Sequence, residues 1–306
     1  MSTDSCIPYR KKIMKEIAVL MTCHNRRDIT LSCLKALSKQ NVDFITYLVD
    51  DGSSDGTTEA VKEYDPSAVV IQGNGNLFWV GGMRLAFAEA LQNNHDYYLW
   101  LNDDSILEPD ALSRLLETHR FLSQRDRSDS IIVGSVKDPK TGNHTYGGRV
   151  RSRRRFSHTF EAVIPQSEPI ECDTMQGNIV LIPSSVAQKV GNVDESFVHT
   201  MGDLDYGLRA KAVNCSIWVA PSYLGNCSQN GVTGSWADKS LPVYKRLQKA
   251  FQVKNFPLKA WTTFTVRHSG PFWFIFWTFP YLRALIGYRN LSASPTFTSD
   301  SNPQIN

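Results

Sequence analysis

The chain of 306 residues lacks several features that would assign it to a common functional class. It contains no P-loop and no G-x-G-x-x-G segment, so its sequence gives no support to ATP or NAD chemistry. Its net charge of +3 is too small to indicate a nucleic-acid-binding protein. No internal repeat or low-complexity stretch stands out. The composition that remains, 42% hydrophobic and 21% charged, is that of an ordinary globular protein.

Cysteine motifs and a targeting signal are also missing. None of the six cysteines forms a C-x-x-C pair, and no Cys/His cluster has the spacing of a zinc site. Residues 1–15 are polar and lack the apolar run of a secretory signal. We therefore expect a cytoplasmic protein whose thiols are free.

No apolar run is long enough to predict a membrane-spanning helix. The most apolar and aromatic run, residues 271–282, is shorter than the roughly 20 residues that such a helix needs, and Arg283 follows it. Trp and Tyr side chains favour the headgroup region, and Arg283, Arg289 and the arginines of residues 149–155 could meet anionic lipid. Two interpretations stay open: peripheral contact with the inner face of the cell membrane, and packing against the rest of the protein or a second subunit.

Strands and helices alternate through the first half of the chain. The apolar patterns predict strands at residues 17–22, 44–49, 68–71, 97–101 and 131–136, separated by helices at residues 28–39, 57–64, 82–93 and 109–124. Short connections between alternating elements are typical of βαβ units and a mainly parallel sheet. The second half is less regular, with strands predicted at residues 160–165 and 178–183 and helices at residues 184–190 and 203–212.

Polar and acidic residues follow three of the predicted strands, where open α/β sheets bind their ligands. C-H-N-R follows the first strand, and D-D-G-S-S-D-G-T follows the second. Gly52 and Gly56 permit a tight turn in the latter, and its aspartates can accept hydrogen bonds from a nucleobase N–H or from ribose hydroxyls. The alternative is a capped turn that has no ligand.

Asn102, Asp103 and Asp104 follow the fourth strand. Two adjacent carboxylates repel each other unless a cation or hydrogen bonds relieve them. Mg²⁺ and Mn²⁺ favour oxygen ligands and often take phosphate oxygens, so this turn could share a cation with a nucleotide diphosphate. The alternative is a solvated capping cluster ahead of Pro109.

A third acidic segment, G-D-L-D, places Asp203 and Asp205 at the predicted start of a helix. The helix dipole and free N–H groups hold a carboxylate there in its ionised form, which is the form that a general base needs. The alternative is helix capping, with Asp205 paired to Arg209 at i, i+4.

The ordered set of D-D-G-S-S-D-G-T, N-D-D and G-D-x-D-x-x-x-R resembles family 2 glycosyltransferases with the GT-A fold, over about residues 17–228. Within that family it is most similar to bacterial rhamnosyltransferases and polysaccharide glycosyltransferases. The resemblance implies an inverting transfer from a nucleotide-sugar donor to a growing, lipid-linked glycan, with Mg²⁺ or Mn²⁺ as cofactor. It divides the chain into a flexible tail (1–15), a catalytic domain (16–240), a helical extension (241–290) and a disordered tail (291–306). The catalytic domain has a nucleotide-sugar half (16–136) and an acceptor half (137–240).

The resemblance also implies residue roles. Asp203 would be the catalytic base, or Asp205 if the match shifts by two positions. Asp104 would bind the metal ion with Asp103 beside it, and His268 and His199 are weaker candidates. The nucleotide-sugar contacts would come from Thr22, Asn25, Asp51, Ser53, Asn102 and Asp103. The chain departs from the family pattern at two positions, where Asn102 replaces an aspartate and Gly202 replaces a glutamate.

The sequence leaves alternatives open for the nucleotide-sugar donor and for the class of protein. The family favours dTDP- or UDP-sugars, and dTDP-rhamnose in particular. A sugar nucleotidyltransferase should carry a glycine-rich basic loop after its first strand, which residues 22–27 do not provide. A non-catalytic relative that binds nucleotide or glycan is the other alternative. Residues 74–82 could cover the donor sugar, or they could bury Phe78 and Trp79 in the core.

Overall fold

The computed structural model describes residues 17–152, 159–229 and 235–286. Both predicted tails, Cys6 and the arginines at 153–155 lie outside the described residues. The first half contains β1 (Ile17–Cys23), α1 (Arg27–Leu37), β2 (Phe44–Asp50), α2 (Thr57–Tyr64), β3 (Val69–Gln72), α3 (Phe78–Ala90), β4 (Tyr97–Leu101), β5 (Ile106–Leu107), α4 (Ala111–Ser123) and β6 (Ser130–Lys137).

The second half has shorter strands and ends in helices. It contains β7 (His144–Tyr146), β8 (Gly148–Arg151), β9 (Phe160–Ala162), β10 (Ile170–Cys172), β11 (Thr174–Met175), β12 (Ile179–Pro183), α5 (Ser184–Val190), α6 (Gly202–Ala212) and β13 (Ser216–Asn226). The C-terminal helices are α7 (Val243–Ala250), α8 (Leu258–His268) and α9 (Trp273–Ile286), with a 3₁₀ turn (Gly270–Phe272) before α9. Among the helices described, none is long and apolar enough to cross a membrane.

The central sheet has the strand order β10-β13-β6-β12-β4-β1-β2-β3. Strands β1 to β4 pair in parallel, as do β6 and β13, while β12 runs antiparallel between β4 and β6. Strands β11, β8 and β9 form a separate small sheet. The α/β fold predicted from the alternation is confirmed, and the carboxyl ends of β1, β2 and β4 lie side by side at one edge.

Both faces of the sheet are covered, which explains the continuous apolar runs of its strands. Ala18 and Leu20 of β1 pack with α3 and α6, whereas Val19 and Met21 pack with α1 and α4. All four side chains are fully buried. The five described cysteines are buried and free, as predicted.

Helix α3 begins at Phe78, four residues earlier than predicted, and therefore includes most of the segment 74–82. Gly82 brings this helix against the end of β1, because a Cβ at that position would overlap the Thr22 hydroxyl. The 11-residue strand β13 is absent from the sequence prediction. Pro221 and the positive φ of 57° at Ser222 interrupt its pattern, and its pairing with β6 is irregular nearby.

Helices α7, α8 and α9 occupy the segment predicted as a helical extension. They share a small core of Ala250, Phe256, Tyr281 and Ala284. The extension also contacts the sheet domain, since the Thr200 hydroxyl donates a hydrogen bond to the Asn255 carbonyl at 2.9 Å.

Candidate active site

The loops that follow β1 and β2 are fastened to each other. The Asn25 N–H donates to the Ser53 hydroxyl at 2.8 Å, and the Asn25 side-chain oxygen accepts the Ser54 N–H at 2.8 Å. Asn25 has a positive φ of 50°, a conformation that asparagine tolerates better than most residues. Thr22, at the end of β1, is covered by Gly82. The predicted nucleotide contacts Thr22, Asn25 and Ser53 therefore belong to one continuous edge.

Asp51 orders the segment that leads into α3. Its carboxylate accepts the backbone N–H groups of Gly75, Leu77 and Phe78 at 2.8, 2.9 and 3.0 Å. The side chain is buried, and its own N–H donates to the Cys23 carbonyl at the end of β1. Any nucleobase contact made by Asp51 would thus add to a carboxylate that already holds this loop in place.

Trp79 connects that loop to the acidic turn after β4. Its indole N–H donates to the Asn102 side-chain oxygen at 2.6 Å. Its ring lies against Gly177, where a Cβ would overlap the indole. An amide suits position 102 because its oxygen accepts the indole N–H while its NH₂ group stays available as a donor. Sequence reasoning left open whether Trp79 covers a ligand or packs in the core. The side chain is half-buried, between the hydrophobic core and the candidate site.

Arg26 bridges the two carboxylates of the acidic turn. Its guanidinium lies 2.9 Å from Asp103 through Nη1 and 2.9 Å from Asp104 through Nη2. Asp103 is buried and also faces the Thr30 hydroxyl, whereas the Asp104 side chain is 32% exposed. Burial raises the pKa of Asp103, Arg26 opposes that rise, and Asp104 adds to it. Sequence reasoning missed the role of Arg26, although its position directly after β1 was a signal.

The carboxylate pair offers hard oxygen ligands of the kind that Mg²⁺ and Mn²⁺ favour. The second Asp104 oxygen accepts a hydrogen bond from the Cys227 thiol at 3.4 Å. Within residues 17–152, 159–229 and 235–286, no group of three or more His, Cys, Asp or Glu side chains could hold a metal ion. The two carboxylates of the turn are a ligand set that fits a cation shared with the oxygens of a diphosphate.

Neither histidine suggested as an extra metal ligand joins the carboxylate pair. His199 packs edge-on against the Phe78 ring, with centroids 5.9 Å apart. His268 places its Nε2 atom 2.8 Å from the Asp205 carboxylate. In this structure the two histidines contact the Phe78 ring and the Asp205 carboxylate, and a role for either at the metal ion stays a prediction.

Asp203 lies in the first turn of α6 and is partly exposed. Its carboxylate accepts the backbone N–H groups of Leu204 at 2.8 Å and Gly177 at 3.1 Å. Burial raises the pKa of Asp203, and these two N–H groups together with the charge of Arg149 oppose the shift. Arg149 is itself fixed by the Gln176 side chain, at 2.6 and 2.9 Å. A raised pKa makes Asp203 a stronger proton acceptor than an exposed aspartate.

Asp205 has a different environment, although it is only two residues away. Its side chain is fully buried and accepts hydrogen bonds from Arg209 at 2.8 Å, Arg267 at 2.6 Å and His268 at 2.8 Å. The predicted pair with Arg209 is present, while the two partners on α8 could not be read from the spacing. Burial acts to raise the pKa of Asp205, but the hydrogen bonds from His268 and Arg209 outweigh it and keep the pKa below its ordinary value. Because its carboxylate is enclosed by two arginines and a histidine, Asp205 is poorly placed to meet an acceptor hydroxyl.

We expect Asp205→Ala to lower the free energy of unfolding by about 3 to 5 kcal/mol, as is usual when one partner of a buried ion network is removed. Urea denaturation at pH 7 measures the change. Since the pKa of Asp205 is lowered by folding, its contribution is complete at neutral pH and is lost as the pH falls through the folded-state value. The control is Asp28→Ala, which breaks an ion pair with Arg27. The Asp28 side chain is 85% exposed, so this substitution should cost at most about 1 kcal/mol. Equal effects of both substitutions would contradict a structural role for Asp205.

The acidic segments converge on residues Gly177 and Asn178. Asp203 accepts the Gly177 N–H, and the Asn102 N–H donates to the Asn178 carbonyl at 3.0 Å. Asp51 connects to the same place through the start of α3, since it accepts the Phe78 N–H and the next residue, Trp79, binds Asn102. Segments about 50 to 100 residues apart in the sequence therefore form one continuous site at the carboxyl ends of the strands.

Comparisons with known proteins agree with this geometry. The model of glycosyl transferase family 2 matches residues 18–182. Galactofuranosyltransferase GlfT2 of Mycobacterium tuberculosis is 29% identical over 166 residues, which cover 47% of this chain and 25% of that protein. The chain thus matches only a quarter of the length of this relative.

Two solved structures share the fold. The mannosyltransferase PcManGT from Pyrobaculum calidifontis, in complex with GDP-Man and Mn²⁺, superimposes with a TM-score of 0.56 at 12% identity, over 90% of this chain and 74% of the other. GalNAc-T7 with UDP, GalNAc and Mn²⁺ gives a TM-score of 0.53 at 13% identity, over 71% of this chain and 43% of the other. Because the family model covers more than half of the chain and the fold is that of GT-A glycosyltransferases, this protein belongs to glycosyl transferase family 2.

Proposed function

We propose that the chain is an inverting glycosyltransferase that moves a sugar from a nucleoside-diphosphate donor to a hydroxyl of a growing glycan. The observation that carries this proposal is the convergence of Asp203 and the Asn102–Asp104 turn on residues Gly177 and Asn178. A proton acceptor and a pair of carboxylates suited to a diphosphate-bound cation thereby lie at the same edge of the sheet.

Asp203 is the base in this proposal. The acceptor oxygen attacks the anomeric carbon, its proton passes to the Asp203 carboxylate, and the bond between that carbon and the diphosphate oxygen breaks. The nucleoside diphosphate leaves with the bonding electrons, and the anomeric configuration inverts. Asp205 is not chosen, because Arg209, Arg267 and His268 already bind it and it has no exposed surface.

The donor would lie along the ends of β1, β2 and β4. Asp51, with Thr22, Asn25 and Ser53, would line the nucleoside end, where Asn25 and Ser53 are already bonded to each other. The amide NH₂ of Asn102 would donate a hydrogen bond to an oxygen of the nucleotide-sugar, since the amide oxygen already accepts the Trp79 indole N–H. Asp103 would support the phosphate end together with Arg26.

Asp104 would hold Mg²⁺ or Mn²⁺ together with Asp103. The partly exposed Asp104 side chain supports this choice, as does the Mn²⁺ in both similar structures. Such a cation, when bound, neutralises the charge that develops on the departing diphosphate. Arg26 contributes a second positive group that is already in place.

The donor nucleotide can be identified by thermal stabilisation. We expect a dTDP- or UDP-sugar with Mn²⁺, with dTDP-rhamnose as the first candidate, to raise the Tm more than a GDP-sugar does, because a ligand that binds only the folded state stabilises it. At a ligand concentration of 100 times Kd the stabilisation is about 2.7 kcal/mol. The similar structures hold GDP-Man in one case and UDP in the other, so all three nucleotides belong in the panel.

The same samples test the reaction class when a glycan acceptor is added. A glycosyltransferase releases nucleoside diphosphate from the nucleotide-sugar. A sugar nucleotidyltransferase would instead release pyrophosphate, in a parallel sample that contains a nucleoside triphosphate and a sugar 1-phosphate. Absence of both products with every stabilising donor, including slow hydrolysis without acceptor, would favour a non-catalytic binding protein.

A further inference from the structure

The C-terminal helices have an unusual charge composition. Residues 241–286 contain seven Lys and Arg residues and no Asp or Glu. The rest of the chain is therefore slightly acidic, since the whole chain carries 33 Lys and Arg against 30 Asp and Glu. The segment that contains α7, α8 and α9 therefore carries a local excess of positive charge.

The same helices carry an exposed apolar stripe along α9 and the turn before it. One face of α9 packs inward through Phe276, Pro280, Tyr281 and Ala284. The opposite face leaves large apolar side chains in solvent, and three of them are the most exposed: Ile286 at 79%, Phe272 at 61% and Phe274 at 53%. The remaining members of the apolar stripe are Ile275, Leu282 and Leu285.

The inward face of α9 is packed and hydrogen-bonded to its neighbours, so the exposed stripe does not result from a missing contact on that side. Trp277 donates its indole N–H to the Thr262 hydroxyl at 2.9 Å, and its carbonyl accepts the Trp261 indole N–H at 2.9 Å. The Tyr281 hydroxyl donates to the Phe256 carbonyl at 2.8 Å. Helix α9 is thus fixed in orientation on α8 and its neighbours, and the apolar stripe is held outward.

We propose that the apolar stripe of α9 docks on an anionic lipid bilayer, with the cations of α7 to α9 adding electrostatic attraction to its headgroups. Helix α9 has 14 residues, about 21 Å of helix, and so it is suited to lie in the interface rather than to cross a hydrocarbon core of about 30 Å. Charge complementarity favours lipid over a second copy of the chain, because two such extensions would each bring an excess of cations and no carboxylate of their own to the contact. This excess remains although Arg246 is buried and Arg267 is paired with aspartates. Phenylalanine and leucine side chains are those with which interfacial helices enter the boundary between headgroups and acyl chains.

Helix α8 joins this surface to the candidate active site. Its last two residues, Arg267 and His268, bind Asp205 in the first turns of α6, and Arg267 also binds Asp194 at 2.8 Å. Asp203 lies on the same turn of α6. A protein docked through α9 therefore presents Asp203 at a fixed height and angle to the bilayer. Membrane docking through the apolar stripe does not depend on the proposed function. The purpose of that docking, the capture of a lipid-linked acceptor, rests on the proposed function.

Vesicle flotation with the full chain tests the docking. Vesicles of phosphatidylcholine alone are compared with vesicles that contain phosphatidylglycerol, at low and high salt. We expect binding to the anionic vesicles that weakens as salt screens the cations. The triple variant Phe272→Ser, Phe274→Ser, Ile275→Ser should reduce the bound fraction at least tenfold, because it removes apolar area from an exposed face without touching the inward one. Ile164→Ser is the matched control, since Ile164 is an exposed apolar residue of the sheet domain.

Three outcomes would overturn the proposal. One is wild-type protein that does not float with anionic vesicles; another is a triple variant that floats as well as wild type. The third is a wild-type dimer in sedimentation that the triple substitution makes monomeric, with no vesicle binding by either protein. Donor-induced Tm shifts measured on the same variants separate docking from the proposed function, because a docking defect leaves nucleotide-sugar binding at its wild-type level.

Discussion

Asp203→Asn is expected to slow sugar transfer by about 10² to 10⁴, which is the usual contribution of a positioned general base. The substitution keeps the size of the side chain and an oxygen that can accept the Leu204 or Gly177 N–H, but it removes the proton acceptor. Donor affinity should stay close to wild type, because the proposed donor contacts lie on the loops after β1, β2 and β4. Calorimetric titration with nucleotide-sugar and Mn²⁺, together with a single-turnover transfer assay, measures both quantities.

The pH profile gives a second readout for the same residue. A base must be unprotonated to work, so kcat/KM should fall as the pH drops through the pKa of Asp203. Since burial raises that pKa, the acid limb should lie above the pH at which an exposed aspartate titrates. Asp110→Asn, at an exposed aspartate, is the control and should not change turnover. If Asp203→Asn retains most of its turnover, the base assignment is wrong.

Asp104→Ala is the second large effect, and we expect it to reduce transfer by at least about 10², because a catalytic cation supplies several kcal/mol of transition-state stabilisation. Fold stability should change little, since the Asp104 side chain is 32% exposed and Arg26 keeps its contact with Asp103. The weakened step should be cation binding itself. Mn²⁺ titration in the presence of nucleotide diphosphate, followed by electron paramagnetic resonance, detects it without any turnover.

The matched control for this substitution is Asp110→Ala, which removes an exposed carboxylate paired with Arg114. It should bind Mn²⁺ and transfer sugar as wild type does. Wild-type turnover that persists in excess EDTA would show that no divalent cation is needed, and the role proposed for Asp104 would then have to be abandoned.

The acidic segments could be located from the sequence because each comes directly after a run of apolar residues or at the start of a periodic one. Asp51, Asp104 and Asp203 were proposed in this way, and the parallel sheet then accounts for the proximity of the turns that contain Asp51 and Asp104. What the spacing could not supply was long-range partners. The bridge from Arg26 to Asp103 joins residues 77 positions apart, and the bond from Arg267 to Asp205 joins residues 62 positions apart.

The distinction between Asp203 and Asp205 shows the same limit. Both lie in the first turn of α6, and helix periodicity predicts only the pair between Asp205 and Arg209. Packing of α8 against α6 then encloses one aspartate in cations and leaves the other with two backbone donors. Strand β13 escaped notice for a local reason, since Pro221 and the left-handed Ser222 break the alternation on which strand prediction depends.

The guanidinium of Arg26 also determines the charge balance of the resting protein. Two neighbouring carboxylates alone would repel an arriving diphosphate, which is itself an anion. With Arg26 bound to both Asp103 and Asp104, the turn carries one positive group against two negative ones before any ligand arrives. A divalent cation held by Asp103 and Asp104 would make the turn net positive and would thereby offset the charge of the diphosphate. Arg26 would thus act as a permanent counter-ion that keeps the acidic turn compensated between one turnover and the next.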